Sequence, residues 1–251
     1  METGLTGKVA IVTGGGRDVG AEVCRSLAAE GAKVVVNYNS SREEADRLVQ
    51  EIESSGGVAR AVKTDISDPA QAAGMVDGTV ADWGSVDILV NNAGYVKYQR
   101  FVDSSYEDWK PQIDVCLYGA LNCSNAAAKH MVEQKGGRII NIVGDSSRIG
   151  EANISLAATA RGGTIALGKS MAKELGRFNV TVNTVSLGLV KSAHQDMEFL
   201  NKNMDRILKA YPLKRIGVPE DVAPMVTFLA SSGGGWITGQ VISVNGGFCM
   251  V

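Results

Sequence analysis

Two stretches hold residues whose types and spacing could do chemistry. The first is TGGGRDVG, Thr13–Gly20, which follows a short apolar run and leads into a helical pattern. Glycines at a strand-to-helix turn let a phosphate reach the backbone, where the first N–H groups of the helix can hold it. Gly14 and Gly20 suit that task, Arg17 adds a cation, and Asp18 puts an anion in the middle of the turn. The second stretch is SLAATARGGTIALGKSMAKEL, residues 155–175, a helical run with one cation, Arg161, set among Ala157, Ala158, Ala160 and Gly162. Small residues admit a close neighbour, so a lone guanidinium among them marks a cleft or an interface. Such a group can grip a carboxylate or a phosphate. Asp145, Ser146 and Ser147, in GDSS, and Tyr95 are further polar candidates.

The elements that must position these residues follow from hydrophobic periodicity. Short apolar runs at 8–13, 33–38, 59–64, 86–91, 138–143, 179–186 and 240–245 have strand length. Most are apolar throughout, as parallel strands covered on both faces are. Helical patterns at 18–30, 41–55, 69–83, 105–134, 152–176 and 219–231 alternate with them. That alternation predicts an α/β fold, a Rossmann-type doubly wound parallel sheet of seven strands. No linker or repeat divides the chain, so residues 1–251 read as a single domain. A helical insertion near 191–217 is expected to cap the carboxyl ends of the strands, where ligands bind in such sheets.

Composition narrows the function classes. With 25 basic against 27 acidic residues, the net charge of −2 leaves no basic footprint for nucleic acid or an anionic membrane. No apolar run approaches the ~20 residues of a membrane span, and the N-terminus shows no secretory leader. Cys24, Cys116, Cys123 and Cys249 lack metal-ligand spacing and are expected to stay reduced in a cytoplasm. His130 and His194 are too few for a His-rich metal site, and His130 reads as structural.

The order of TGxxxGxG, then NNAG at 91–94, then PEDVA and ITGQ…GG near the end, resembles the short-chain dehydrogenase/reductases. The resemblance runs from Lys8 to Gly247 and implies a subunit that binds NAD or NADP and assembles into tetramers. It assigns Asp65 to the adenine, and Asn92, Ala93 and Gly94 to the floor beneath the ribose and nicotinamide. NNAG can equally serve to brace the central strands. The stretch NYNSSRE after the second strand has no Asp for a ribose 2′-OH, which together with Arg17 favours NADP over NAD.

The same resemblance exposes departures. Asp18 stands where the family has its middle glycine; two like charges ~4 Å apart repel by about 4 kcal/mol at an effective dielectric of ~20. Alternatively, Asp18 serves to N-cap the following helix. The family's reaction passes a hydride between nicotinamide and a carbonyl or alcohol carbon. A tyrosine moves the proton, a lysine four residues later lowers its pKa, a serine thirteen residues earlier binds the substrate oxygen, and an asparagine anchors a water relay. Those positions hold Ala157, Arg161, Gly144 and Cys116. Acid–base assistance contributes about 10²–10⁴ in rate, and an oxyanion donor about 10²–10³. An arginine keeps its proton at any working pH and cannot join a relay. Tyr106 and Lys110 form a literal YxxxK, but ahead of the fifth strand, where the family has no catalytic pair. After the sixth strand, Leu187-Gly188 replaces the usual Pro-Gly.

These features predict a non-catalytic subunit of a heteromeric NAD(P)-dependent oxidoreductase, beside an active homologous subunit in a tetramer. The oxidation of a hydroxyacyl-CoA in aromatic degradation is the setting that the resemblance suggests. No metal is expected, and NAD(P) is expected to bind weakly or not at all. An active carbonyl reductase with Ser146 or Tyr95 as acid is one alternative. A small-molecule sensor holding an acid with Arg161 and the 191–217 cap is another. The helices 105–134 and 152–176 are expected to form one assembly surface, and 219–231 with the last strand and its tail another. The apolar tail Phe248–Val251 is expected to lie under a neighbour.

Overall fold

The apolar runs form seven strands: β1 Val9–Val12, β2 Lys33–Tyr38, β3 Val58–Lys63, β4 Ile88–Asn91, β5 Gly137–Gly144, β6 Val180–Leu187 and β7 Val241–Val244. All pair in parallel, in the order β3-β2-β1-β4-β5-β6-β7. The computed structural model describes residues 2–193, 195 and 197–251, with Met197 and Phe199 described by backbone alone. His194 lies outside the described residues.

Burial follows position in the sheet. β1 and β4 are central and wholly buried, which explains their unbroken apolar sequence. β3 is an edge, exposed at Val58 and Lys63 and half-buried over most of the rest. β7, the other edge, is half-buried along its length. One face packs on α1 Asp18–Ala29, α2 Arg42–Ser54 and α9 Pro219–Ala230. The other is covered by α3 Pro69–Trp83, α5 Gly119–Gln134 and α7 Ser155–Leu175. α3 shows how local sequence sets an end: Asp68 accepts hydrogen bonds from Ala70 N and Gln71 N, and Pro69 opens the helix.

The long helix expected over 105–134 is broken. α4 Tyr106–Ile113 passes through a π-helical turn, Asp114–Tyr118, into α5. A π turn frees backbone carbonyls from the regular ladder, and Thr164 Oγ1 of α7 donates to the carbonyl of Cys116 at 3.0 Å. A short helix, α6 Ser146–Ile149, follows β5 directly. The insertion carries α8 Met197–Lys209, as its helical pattern predicts. His130 Nε2 meets Asp77 Oδ1 at 2.7 Å, a structural contact. All four cysteines are buried and unbridged. No helix among the described residues is long and apolar enough to cross a membrane.

The tail packs in part on its own chain. Phe248 stacks on Tyr211 of the same chain, with ring centroids 5.0 Å apart, and Cys249 is buried. Asn245 Nδ2 donates to the Cys249 carbonyl at 2.8 Å, and Arg148 binds Val251 O. The strap thus covers its own apolar residues; only Met250 and Val251 stay open, 80% and 69% exposed.

The insertion is fastened to α9 by a two-pronged pair, Arg215 Nη1 and Nη2 on Asp221 at 2.5 and 2.6 Å, while Val218 N also donates to Asp221. The Arg215 hydrogen bonds hold the Asp221 carboxyl at about 2, below its ordinary 3.8. A depressed carboxyl stabilises the fold above its ordinary pKa and loses that contribution as pH falls through the folded value. The melting temperature of the wild type therefore exceeds that of Asp221→Asn near neutrality. The gap closes between about pH 4 and pH 2. Thermal melts across that range check it, and a gap that does not change with pH would refute the assignment.

Candidate functional site

The strand order reverses between β1 and β4, whose onward connections run to opposite sides of the sheet. The crevice outside their carboxyl ends is where a ligand binds in an open α/β sheet. Thr13 ties the two strands: its N and Oγ1 donate to Val90 O at 3.0 and 3.3 Å. Its Oγ1 accepts from Asn92 N and Ala93 N at 3.0 and 3.1 Å. Asn92 Nδ2 donates back to the carbonyls of Thr13 and Gly14 at 3.0 and 3.1 Å. Asn92 and Ala93 thus brace the central strands. Gly20 is required by the same knot, because a Cβ there would run into Gly14 O and stand 2.6 Å from Asn92 Nδ2.

The glycine-rich turn keeps the form of a phosphate cradle but not its charge. Gly14 has φ +60°, and its N donates to Asn37 Oδ1 at 3.2 Å. Asp18 has φ 50°, a left-handed conformation that suits glycine and strains an ordinary side chain. The N-cap expected of Asp18 is not made. Arg17 holds the cap position, and Asp18 is the first residue of α1. Its Oδ1 instead accepts from Ala193 N in the insertion at 2.8 Å. The reason is geometric: at that position the carboxylate points away from the N–H groups of its own helix and towards the loop after β6. A carboxylate at the mouth of the turn opposes a pyrophosphate electrostatically. Arg17 is exposed. Asp65 Oδ1 accepts from Ser67 N and Oγ at 3.0 and 2.6 Å, shaping the turn before α3.

Around β4 and β5, the four positions of interest come together. Ala157 of α7 is 1% exposed and presents a methyl group. Cys116 lies in the π turn, buried, its Sγ 3.4 Å from both Tyr95 N and Tyr95 O. Arg161 extends across Gly94, where any Cβ would collide with its guanidinium. A Cβ on Gly144 would stand 3.8 Å from Arg161 Nη1 and 3.2 Å from Ser146 Oγ. The outer faces of both glycines are therefore spoken for: Gly94 lies under a cation, and Gly144 lies under a cation and a hydroxyl. Tyr98 has a raised pKa, first from desolvation and then from the charge of Glu151, with Arg161 opposing. Tyr106 is exposed at the start of α4 and Lys110 pairs with Asp114, so the literal YxxxK takes no part.

Asp145 is the functional residue whose role sequence reasoning missed. It lies in the turn between β5 and α6 and is 1% exposed. Ser186 Oγ and Asn245 Nδ2 donate to its carboxylate at 2.6 and 2.5 Å, and its own N donates to Leu187 O at 2.8 Å. It thereby locks the ends of β5, β6 and β7 under the site. The only signal in the sequence was its place directly after a buried strand. Among the described residues, no group of His, Cys, Asp or Glu is arranged to hold a metal.

A family model described as Enoyl-(Acyl carrier protein) reductase matches residues 14–249. The chain is 39% identical over 249 residues to a 3-oxoacyl-(acyl-carrier-protein) reductase of Synechocystis sp., covering 99% of each. It is 37% identical over 246 residues to the enzyme of the same name from Staphylococcus aureus, covering 97% of this chain and 98% of the relative. A solved structure of a blue fluorescent protein from a metagenomic library, in complex with NADPH, superposes with TM-score 0.90 at 33% identity, over 98% of this chain and 99% of that one.

Replacing Asp145 by Ala would strand the buried Ser186 Oγ and leave Asn245 Nδ2 with the Cys249 carbonyl alone. An unsatisfied buried group costs about 1–3 kcal/mol, so Asp145→Ala is expected to lose about 1–3 kcal/mol in urea unfolding. A loss under about 1 kcal/mol would show that the knot is not a support of the site.

Proposed function

Since the chain belongs to the short-chain dehydrogenase/reductase family, we propose that it is a non-catalytic subunit of a heteromeric oxidoreductase, supporting an active homologous chain. The observation that carries this reading is the covered floor. Arg161 crosses Gly94 and reaches towards Gly144, while the neighbouring buried position, Ala157, has no proton to give. Gly144 supplies no hydroxyl, and the thiol of Cys116 is engaged with the Tyr95 backbone. No lysine stands by to tune an acid. Asp18 adds a carboxylate at the phosphate turn, so NAD(P) binds weakly or not at all, with NADP the better of the two through Arg17.

Two surfaces support the assembly. Phe101, Val102, Tyr106 and Tyr118 lie exposed before and along α4 and its π turn. The half-buried edge β7 is preceded by Trp236, which is 99% exposed. An apolar edge of that kind asks for cover. The relatives named as 3-oxoacyl-(acyl-carrier-protein) reductases point to an acyl thioester with a β-oxygen as the substrate class of the active partner. That class agrees with the resemblance to the inactive partner chain of 2-[hydroxy(phenyl)methyl]succinyl-CoA dehydrogenase, an enzyme of aromatic degradation.

A second reading, an active reductase with Ser146 as the replacement hydroxyl, has one observation in its favour: Ser146 Oγ lies 3.2 Å from where a Cβ of Gly144 would be. One experiment separates the two. Purified full-length chain is titrated with NADPH and assayed with acetoacetyl-CoA, alone and after co-expression with a homologue bearing the intact Ser, Tyr and Lys. The expected outcome is no NADPH binding below millimolar, no turnover alone, and co-elution with the homologue. Turnover by the isolated chain that disappears in Ser146→Ala would replace the non-catalytic reading with the second one.

A further inference from the structure

The crevice over Gly144 is not empty of chemistry once proton transfer is set aside. Two polar groups converge there from different elements: Arg161 Nη1 from α7 and Ser146 Oγ from the first turn of α6. Ser146 is only 8% exposed, yet its hydroxyl has no hydrogen-bond partner among the described residues. Arg161 is half-buried, and no carboxylate or carbonyl among the described residues meets its guanidinium. A half-buried cation and the hydroxyl of a mostly buried serine thus approach one point with no protein acceptor between them among the described residues. Both are donors, so the group that completes them is an acceptor with negative charge.

We infer that Arg161 and Ser146 form a binding site for the carboxylate of a small organic acid, seated over Gly144. The guanidinium presents two parallel N–H groups to a planar anion, and the hydroxyl adds a third donor. Gly144 presents no side chain at that point, so an anion between the two donors meets none from the end of β5. The charge balance favours a monoanionic head over a phosphate dianion. One arginine is the cation at hand, Asp145 is buried next in sequence to Ser146, and Glu151 lies close enough to act on Tyr98. The Asp145 carboxylate is already satisfied by Ser186 and Asn245, so it does not compete for Arg161. The site is independent of whether the chain turns over substrate: turnover would sink the proposed function and leave this inference standing.

The test is calorimetric titration of the full-length chain, or its co-purified complex, with sodium succinate and with inorganic phosphate at matched ionic strength. Wild type binds succinate more tightly than phosphate, and its melting temperature rises by about 3 °C or more at tenfold excess over Kd. Ser146→Ala weakens succinate about tenfold, since a hydrogen bond to a charged group is lost. Arg161→Leu abolishes the heat and the thermal shift, whereas Arg161→Lys keeps part of both. Circular dichroism melts of the unliganded variants establish that each is folded. The inference fails if succinate gives no heat with wild type, if binding survives Arg161→Leu, or if phosphate binds as tightly.

Discussion

Seven parallel strands end together at the carboxyl edge of this sheet, and at the central strands the last polar groups lie too deep for water. Buried peptide groups must find partners. Here a belt of carboxamides supplies them. Asn37 reaches from β2 to Gly14 N and to the carbonyls of Val62 and Thr64. Asn92 joins the ends of β1 and β4 through Thr13 and Gly14. Asn91 donates to Asn141 of β5 and is held near Ser124 of α5, and Asn183 of β6 reaches Ile237. Asp145 closes the row against β6 and β7. The crevice exists because this belt holds the strand ends apart at the β1/β4 reversal and together elsewhere.

That constraint separates the scaffold of the site from its reactive groups. Asn91 and Asn92 belong to a motif associated with cofactor binding, yet in this chain the side-chain N–H groups of both join neighbouring segments of the fold. Gly20 is required by the backbone of Gly14 and the amide of Asn92, with no ligand in the account. Such residues persist for as long as the fold persists. Ala157, Gly144, Cys116 and Arg161 hang from helices and strand ends that the belt has already fixed. Exchanging them alters chemistry while leaving strand pairing intact.

The sequence made the fold legible because burial on both faces forces unbroken apolar strands, and helices of ordinary length must connect them. It showed where the four altered positions lie, since their spacing along α7 and β5 survives. What it did not show depended on contacts between distant segments. Asp18 reads as a helix cap because capping is a local rule; its partner is Ala193, 175 residues away. The tail reads as an open apolar patch because Tyr211, on which Phe248 stacks, belongs to an insertion with no strand register to place it. The π turn at 114–118 has no periodicity of its own, and only the hydroxyl of Thr164 on the next helix gives its carbonyl a destination.

Arg161 is where those two kinds of information meet. Read along the chain, it is a cation four residues after an alanine, a substitution that removes acid–base chemistry. Seen in the fold, the same side chain spans Gly94, in the loop after β4, and Gly144, at the end of β5, and ends beside a buried serine. A lysine there would end in a single ammonium with freely turning donors, whereas the guanidinium is longer, planar and pre-set to meet a planar anion. On the non-catalytic reading proposed above, the residue that would end one chemistry leaves the geometry for another. A fixed charge at this position, in place of a group that tunes a proton, leaves undisturbed the belt of carboxamides on which the strands depend.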